Sequence, residues 1–525
     1  MSRSIDAATL KQWLNDGGEI ALLDVREHGV YGEGHPFFSV SVPYSRLEID
    51  APRLVPRRTT PVVLLDDGDG IAERAAVRLA SIDYIDVRIL DGGAPAWQRA
   101  GYTLFKGVNL PSKTFGERVE QAFGTPHLSA QELQRRLAGD DPPLLLDGRT
   151  FDEHRRMTIP GAVSVPNGEL VREVGALLGG DTRRTVVVHC AGRTRSIIGA
   201  QILRQLGLPN PVLALENGTQ GWALAGLPLE RGSTRRPAPH SAQAALSHWP
   251  ARRLPGRSVT AAQASRWLAE AARTTYLFDV RSAEEFAQGS LPGARHAPGG
   301  QLLQATDLYV GTRHVRILLV DDDGLRAPVV AHWLWLQGHD AVAVDGGIRA
   351  TLQVPPAASA DVPEVPRLDA EALRERLQRG ALLLDLRGSL AHRAGHPQGA
   401  QWTIRPQVVE AARKAGAGRA LVLLCDEPRI ADLAALDLRE AGFTDLAQAS
   451  LATSAEAGPP TVTSPDEPSD AQAIDHLFFV HDRHDGNLDA ARRYLAWELG
   501  LIAQCDADEL ATFRLDPAAL EREIR

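Results

Sequence analysis

Cysteine is scarce in this chain: three in 525 residues, at positions 190, 425 and 505. Three scattered thiols build neither a disulfide framework nor a zinc site, whose ligands come in closely spaced pairs. Long apolar runs are missing too, and nothing nears the roughly 18–20 residues needed to span a bilayer. The opening stretch, "MSRSIDAATLKQWLNDGGEI", lacks a signal-peptide core and a cleavage pattern. There is no excess of positive charge; the net charge is −9, which argues against a dedicated nucleic-acid surface. No glycine-rich phosphate loop of recognised spacing occurs, so no nucleotide, flavin or pyridoxal cofactor is expected. These absences predict a soluble protein of the cytoplasm with neither a membrane nor a nucleic-acid partner. The composition, 44% hydrophobic and 23% charged, is that of an ordinary globular chain. The length is too great for one core and suggests about three or four domains.

What the chain has instead is internal repetition. Four segments join an apolar strand to Asp, one further residue and Arg: "LLDVR" ending at Arg26, "LLDGR" at Arg149, "LFDVR" at Arg281 and "LLDLR" at Arg387. A second apolar strand follows each and stops at a polar turn: "VVLLDDGDG", "VVVHCAGRTRS", "ILLVDDDGLRA" and "LVLLCDEPRIA". From the Asp of the first element to the residue just past the second strand the offsets are 42, 43, 42 and 40. Glycine-bearing stretches close the first three copies, in "LDGGAPAWQRAGY", "LENGTQGWALAGLPL" and "VDGGIRATLQV". The fourth has "AQASLATSAEAG" there and no glycine pair. Turn-rich or Pro-rich stretches at 231–243, 354–367 and 453–472 read as linkers. Within a copy, runs such as "PLLLD" and "TVVVH" show no polar alternation and are followed by helical periodicity, as in "SAQELQRRL" and "IIGAQILRQLGL". That combination predicts an α/β fold repeated four times, each copy a central parallel sheet flanked by helices.

One turn is chemically unlike the others. Cys190 ends an apolar strand, and a helix is expected from about Ser196. In open parallel sheets, ligands bind beyond the carboxyl ends of the strands, at the N-termini of the helices that follow. The turn "AGRTRS" contains no proline, so Ala191, Gly192, Arg193, Thr194, Arg195 and Ser196 all keep a backbone N–H. Curled around a sulfur, those groups and the helix dipole favour negative charge on it, and so a nucleophilic thiolate. Arg193 and Arg195 add permanent positive charge suited to an anionic substrate. A buried core cysteine is the plainer alternative; the arginines, the strand-to-helix position and the repeat context weigh against it.

With "LLLDGRTFDEHRRMTIPGAVSVP", "HCAGRTRS" and "NGTQGWALAGLP", the second copy resembles the rhodanese (sulfurtransferase) family. All four copies, over about residues 1–455, resemble rhodanese domains. In that family the loop cysteine takes up a sulfane sulfur as a persulfide and hands it to cyanide or a thiol. The resemblance implies that Cys190 is the sulfur acceptor and that the amides of Ala191 to Ser196 cradle the persulfide. It further implies that Arg193 and Arg195 help bind a donor anion: thiosulfate, a persulfide or mercaptopyruvate. Asp147 and Arg149 match the family's Asp-x-Arg element and are expected to support the fold as a buried ion pair or cap. Cysteine phosphatases, some of which share the rhodanese fold, are the minority alternative, with arsenate reductases beside them. The phosphatases place five residues between Cys and Arg; only four separate Cys190 from Arg195, a cradle better suited to one added sulfur than to a phosphoryl group. A second alternative is a scaffold whose copies only bind partners. One intact turn beside three altered ones speaks for the enzyme.

The expected domains are 1–108, inactive with Asp66 at the cysteine position; 124–232, catalytic; 255–353, inactive with Asp321; 366–455, degenerate with Cys425; and a helical extension, 472–525. Asp66 and Asp321 read as solvated loop acids rather than cation ligands, because no His or Glu stands at ligand spacing. Asp426 and Glu427 oppose a thiolate at Cys425, Pro428 removes an amide, and Arg429 is the only counterweight, so this site reads as decayed. In the extension, Asn487 is expected to cap a helix from Leu488 to about Ala503, with Ala490, Tyr494, Leu495, Trp497 and Leu501 as core contacts. His476, His481, Asp482, His484 and Asp485 fit no metal motif, and no metal is expected. Cys505 has neither arginine nor cradle beside it. The extension is expected to dock on a domain or on a second subunit; a protein sulfur acceptor and a homodimer stay open as partners.

Overall fold

Strands rich in valine and leucine, without polar alternation, need cover on both faces, and a parallel sheet between helix layers supplies it. The computed structural model describes residues 3–238, 254, 257–355, 362–414, 416, 418–483 and 486–516, and builds this arrangement four times. The first sheet runs in the spatial order Arg3–Ile5, Val87–Leu90, Val62–Leu65, Ala21–Asp24, Val40–Ser41, every pairing parallel. The second repeats that order with His127–Leu128, Val212–Leu215, Val186–His189, Leu144–Asp147 and Val163–Ser164. The third does so with Ser258–Val259, Asp340–Val344, Arg316–Val320, Thr275–Asp279 and Arg295–His296. Among the described residues the fourth has four strands, Gln401–Trp402, Leu382–Asp385, Leu421–Leu424 and Leu446–Ala449. Where its outer strand would lie, a single parallel bridge joins Arg367 to Gln448. The central strands are sealed: Val186, Val187 and Val188 have no exposed surface.

The chain forms two compact units. One comprises Met1–Leu14, Ile20–Gly107 and Ala358–Phe478, and so holds the first and fourth repeats. In it, buried Arg405 donates to both oxygens of Glu48 at 2.6 and 2.8 Å, while Tyr44 and Arg78 meet Asp437. The other comprises Asn15–Glu19, Val108–Ala357 and Phe479–Arg525, and holds the second and third. There Arg326, fully buried, pairs with Glu169 and Glu285 at 3.0 and 2.7 Å. Gly168 and Gly300 bring the two repeats' backbones so close that a Cβ on Gly168 would stand 2.7 Å from the Gly300 nitrogen. Removing one partner of such a buried ion pair costs about 3–5 kcal/mol.

Two long helices outside the four repeats belong to the second unit. Leu110–Phe123 lies between the first two expected domains and packs on the second repeat. The tail helix spans Leu488–Leu499, with the Asn487 side chain accepting from the Ala490 amide at 3.0 Å. It stops short of the expected Ala503, with Gly500 as its right-handed C-cap, and a separate turn, Leu501–Gln504, comes after. Ala490, Tyr494, Leu495 and Leu501 are buried, and Trp497 is half-buried. Among the described residues no helix is long and apolar enough to cross a membrane. Parts of the first two linkers, within 231–243 and 354–367, together with His484, Asp485 and the chain beyond 516, lie outside the described residues.

Candidate active site

Cys190 follows the strand Val186–His189 and is 3% exposed. The helix after it starts at Thr194, two residues before the expected Ser196, and runs to Gln205. Its first backbone bond goes from the Ile197 amide to the Arg193 carbonyl at 3.1 Å. Thr194, Arg195 and Ser196 therefore form an opening turn whose N–H groups have no carbonyl to reach inside the helix. The Ser196 hydroxyl donates to the Cys190 sulfur at 3.2 Å. From the far side, the amides of Thr219 and Gln220 donate to the carbonyls of Cys190 and Ala191 at 2.8 and 3.0 Å. That contact explains the recurring glycine: a Cβ on Gly218 would stand 2.2 Å from the Cys190 oxygen. Gly93 bears the same relation to Asp66, and Gly347 to Asp321, at 2.3 and 2.0 Å.

Both loop arginines are already matched by carboxylates. Arg193 donates to both oxygens of Glu117 at 2.8 and 3.0 Å and also to Glu120. Arg195 makes a two-pronged bond to Glu153, 2.7 Å on each arm. Burial works against the charge on Arg195, but Glu153 and the Cys190 sulfur outweigh it and hold the guanidinium ionised. Burial would raise Glu153 as well, yet Arg195 holds it down at about 2. Glu117 goes the other way: burial lifts it to about 7 in spite of Arg193. Around Cys190 the permanent positive charge is thus present but locally neutralised.

Arg149 grips Asp147 through Nε and a terminal nitrogen at 2.8 and 2.7 Å, both groups buried, and reaches the Met157 carbonyl. Burial would raise the Asp147 carboxyl, but His189 and Arg149 keep it well below the usual range. The same pair occurs as Asp24–Arg26, Asp279–Arg281 and Asp385–Arg387. Since two of those repeats have no cysteine at the strand end, the pair there can only hold the fold.

Asp66 and Asp321 are not the solvated acids the sequence suggests; they are 2% and 3% exposed. Asp66 accepts from the amides of Gly68 and Ala72 at 2.8 and 3.1 Å, and Asp321 from Gly324 and Ala327 at 3.0 and 2.9 Å. Each carboxylate fills its own loop, taking amides that would otherwise receive a bound anion. Burial and Asp323 push the Asp321 carboxyl up to about 6. At Cys425, burial pushes the thiol up to about 11, with Asp426 and Asp432 adding to the rise. Among the described residues no group of three or more His, Cys, Asp or Glu is placed to hold a metal ion.

Several side chains that shape the loop were not found in the sequence. The tail helix lays Glu498 on it, where Thr194 Oγ1 donates to one carboxylate oxygen at 2.9 Å. Lys113, on the helix before the second repeat, stands 3.6 Å from Glu498 and donates to the Tyr494 hydroxyl. Glu153 carried a signal: it is the third helical residue after Thr150 in a capping box, whose bonds the structure contains. Nothing local marks Glu117, Lys113 or Glu498.

Known proteins share this architecture. The Rhodanese-like domain family matches residues 6–100, 129–225 and 260–353, more than half of the chain; the match does not extend to the fourth repeat. A crystal structure of a thiosulfate sulfurtransferase from Pseudomonas aeruginosa is 39% identical, with a TM-score of 0.89, over 97% of this chain and 99% of that one. A putative thiosulfate sulfurtransferase, SseB of Mycobacterium tuberculosis, is 29% identical over 215 residues, covering 33% of this chain and 74% of that protein. A putative sulfur carrier protein, YrkF of Bacillus subtilis, is 25% identical over 103 residues, covering 20% of this chain and 54% of that protein. The repeats, the strand-end cysteine and these likenesses agree: the chain belongs to the rhodanese family, as a rhodanese-type sulfurtransferase.

Proposed function

We propose that Cys190 carries sulfur as a persulfide from an anionic donor, thiosulfate first, to a thiophilic acceptor such as cyanide or a thiol. One observation carries the reading: in a single repeat, a strand-end cysteine meets an unbroken, proline-free turn that opens a helix. The Cys190 thiolate attacks the sulfane sulfur of thiosulfate. A new S–S bond forms, the bond to the sulfonate sulfur breaks, and sulfite leaves with the bonding pair. Cyanide then takes the outer sulfur as thiocyanate, or a thiolate takes it as a persulfide, and the electron pair of the broken S–S bond returns to Cys190. Charge balances in both steps, and neither needs an outside oxidant or reductant.

The opening turn at Thr194 to Ser196, with Ala191 and Gly192 before it, supplies amides for the negative outer sulfur. Because Arg193 and Arg195 already face carboxylates, attraction of the donor falls mainly to those amides and the helix N-terminus. Thiosulfate is favoured by the names of the relatives, with mercaptopyruvate and persulfides as competing donors. We assign catalysis to the repeat at 124–232 and architecture to the other three. Three scattered cysteines fit a reducing compartment, and we assign the chain to the cytoplasm. The test is steady-state kinetics with thiosulfate and cyanide. Parallel double-reciprocal lines, lost in Cys190→Ser, are expected; intersecting lines, or activity surviving in that variant, would overturn the reading.

A further inference from the structure

We propose that Glu498 of the tail helix, with the Gln220 side-chain amide, forms an acceptor subsite beside Cys190 that selects a thiol bearing an ammonium group. The inference rests on the sulfur-transfer reading above and names the class of acceptor.

The observations converge on Gly192, two residues past the sulfur. Glu498 is 2% exposed; its Oε1 accepts from Thr194, while its Oε2 has no hydrogen-bond partner among the described residues. That free oxygen stands 2.9 Å from where a Cβ on Gly192 would be. The Gln220 Nε2 stands 3.5 Å from the same point, and neither end of its amide, in a residue 6% exposed, has a partner among the described residues. Buried polar groups are almost always satisfied. Two unsatisfied ones from distant parts of the chain, meeting over one residue of the cradle, mark a place where a ligand completes the bonding. Any side chain at position 192 would press on the carboxylate, so glycine is what lets Glu498 come this close to the cradle.

Charge decides what the ligand is. Around the loop, Glu117 and Glu120 face Arg193, and Glu153 faces Arg195. Glu498 has Lys113 3.6 Å away, itself bonded to Tyr494, and Arg193 feels its charge from farther off. Among the described residues no cation donates to Glu498 Oε2. An ammonium supplies that donor, bonding to Glu498 Oε2 and, once the Gln220 amide turns its Oε1 rather than its Nε2 to the corner, to the Gln220 carbonyl, whereas a carboxylate-bearing thiol adds a like charge to a buried anion. In the transfer, the aminothiol loses its thiol proton to solvent, and its thiolate attacks the outer sulfur of the Cys190 persulfide. A bond forms between those two sulfurs, the Cys190 S–S bond breaks, and its electron pair stays on Cys190. The acceptor leaves as a persulfide, and Glu498 holds its ammonium without exchanging a proton.

The test loads full-length protein with thiosulfate, removes the excess, and follows loss of the added sulfur by intact mass. The probes are cysteamine, 2-mercaptoethanol and 3-mercaptopropionate, compared per unit of thiolate. Cysteamine is expected to be about tenfold more efficient than mercaptoethanol, and mercaptopropionate the slowest. Glu498→Gln is expected to remove most of the cysteamine advantage, through half-saturation rather than the limiting rate, and Gln220→Leu a smaller part of it. Equal efficiencies for the three thiolates in the wild type overturn the inference, and that series needs no variant to fold. Equal slowing of all three acceptors in Glu498→Gln also overturns it, since a loosened loop would do that. Failure to load Cys190 at all is a different result and sinks the sulfur-transfer reading itself.

Discussion

Cys190 and Cys425 end equivalent central strands in sheets of similar build, and they differ in the turn beyond the sulfur. After Cys190 the chain runs without proline into a helix at Thr194, Ser196 donates to the sulfur at 3.2 Å, and Gly218 lets a second backbone segment press on the loop. After Cys425 come two acids, and the helix opens at Pro428. Burial, Asp426 and Asp432 push that thiol up to about 11. The glycine pair is gone; in its place the Leu451 amide reaches the Asp426 carboxylate at 3.4 Å. A strand end gives a cysteine a location, and the charge and free amides of the turn decide whether it can be a nucleophile. Asp66 and Asp321 carry the lesson one step further, since there the cradle is closed by the residue that replaced the sulfur.

The comparison breaks first on the two cysteines themselves. Cys190→Ser is expected to lower thiosulfate-to-cyanide transfer at least about a thousandfold, and Cys425→Ser less than about twofold. A large loss from the second variant, with an unchanged melting temperature, would make the fourth repeat a working site. Next in size is the charge beside the active sulfur. Arg195→Met leaves Glu153 facing the loop unpaired, and kcat/KM for thiosulfate is expected to fall about a hundredfold. Adding Glu153→Gln to that variant should restore part of the loss; no restoration would mean that charge is not the reason.

A smaller effect sharpens the other side. Iodoacetamide labelling of Cys425, read by peptide mass, should keep rising through pH 9 and 10, as a thiol titrating near 11 requires. Asp426→Ala should shift its midpoint downward by up to about one unit; a midpoint already in the ordinary thiol range would contradict the contrast. The smallest expected effect concerns Glu117, whose carboxyl is lifted to about 7. A folded acid titrating above its unfolded value holds its proton while the unfolded chain releases it. Stability therefore falls as pH rises from the ordinary carboxyl range to about 7, then levels off. Glu117→Gln should flatten that slope in melting temperature, and an unchanged slope would remove Glu117 as its source.

Much of this could be read from the chain. Buried runs without alternation announced parallel sheets, the Asp-x-Arg repeat announced four of them, and the turn after Cys190 stood out by its arginines and its lack of proline. Of the partners of those arginines, Glu153 alone carried a local signal, through its capping box with Thr150. Glu117 and Glu120 lie in 109–123, a stretch with no assigned role, and Glu498 meets Thr194 across 304 positions of sequence. No local pattern encodes such a contact, because tertiary packing creates it. The burial of Asp66 and Asp321 was hidden for a related reason: an acid in a Gly- and Asp-rich turn looks solvated unless one knows that the loop amides close on it.

The most direct test of the central claim is the intact mass of the protein after thiosulfate treatment, wild type beside Cys190→Ser, before and after cyanide. A gain of one sulfur atom in the wild type alone, removed by cyanide, is the predicted result. A gain retained in Cys190→Ser, or none in either protein with thiosulfate, mercaptopyruvate or glutathione persulfide, would contradict it.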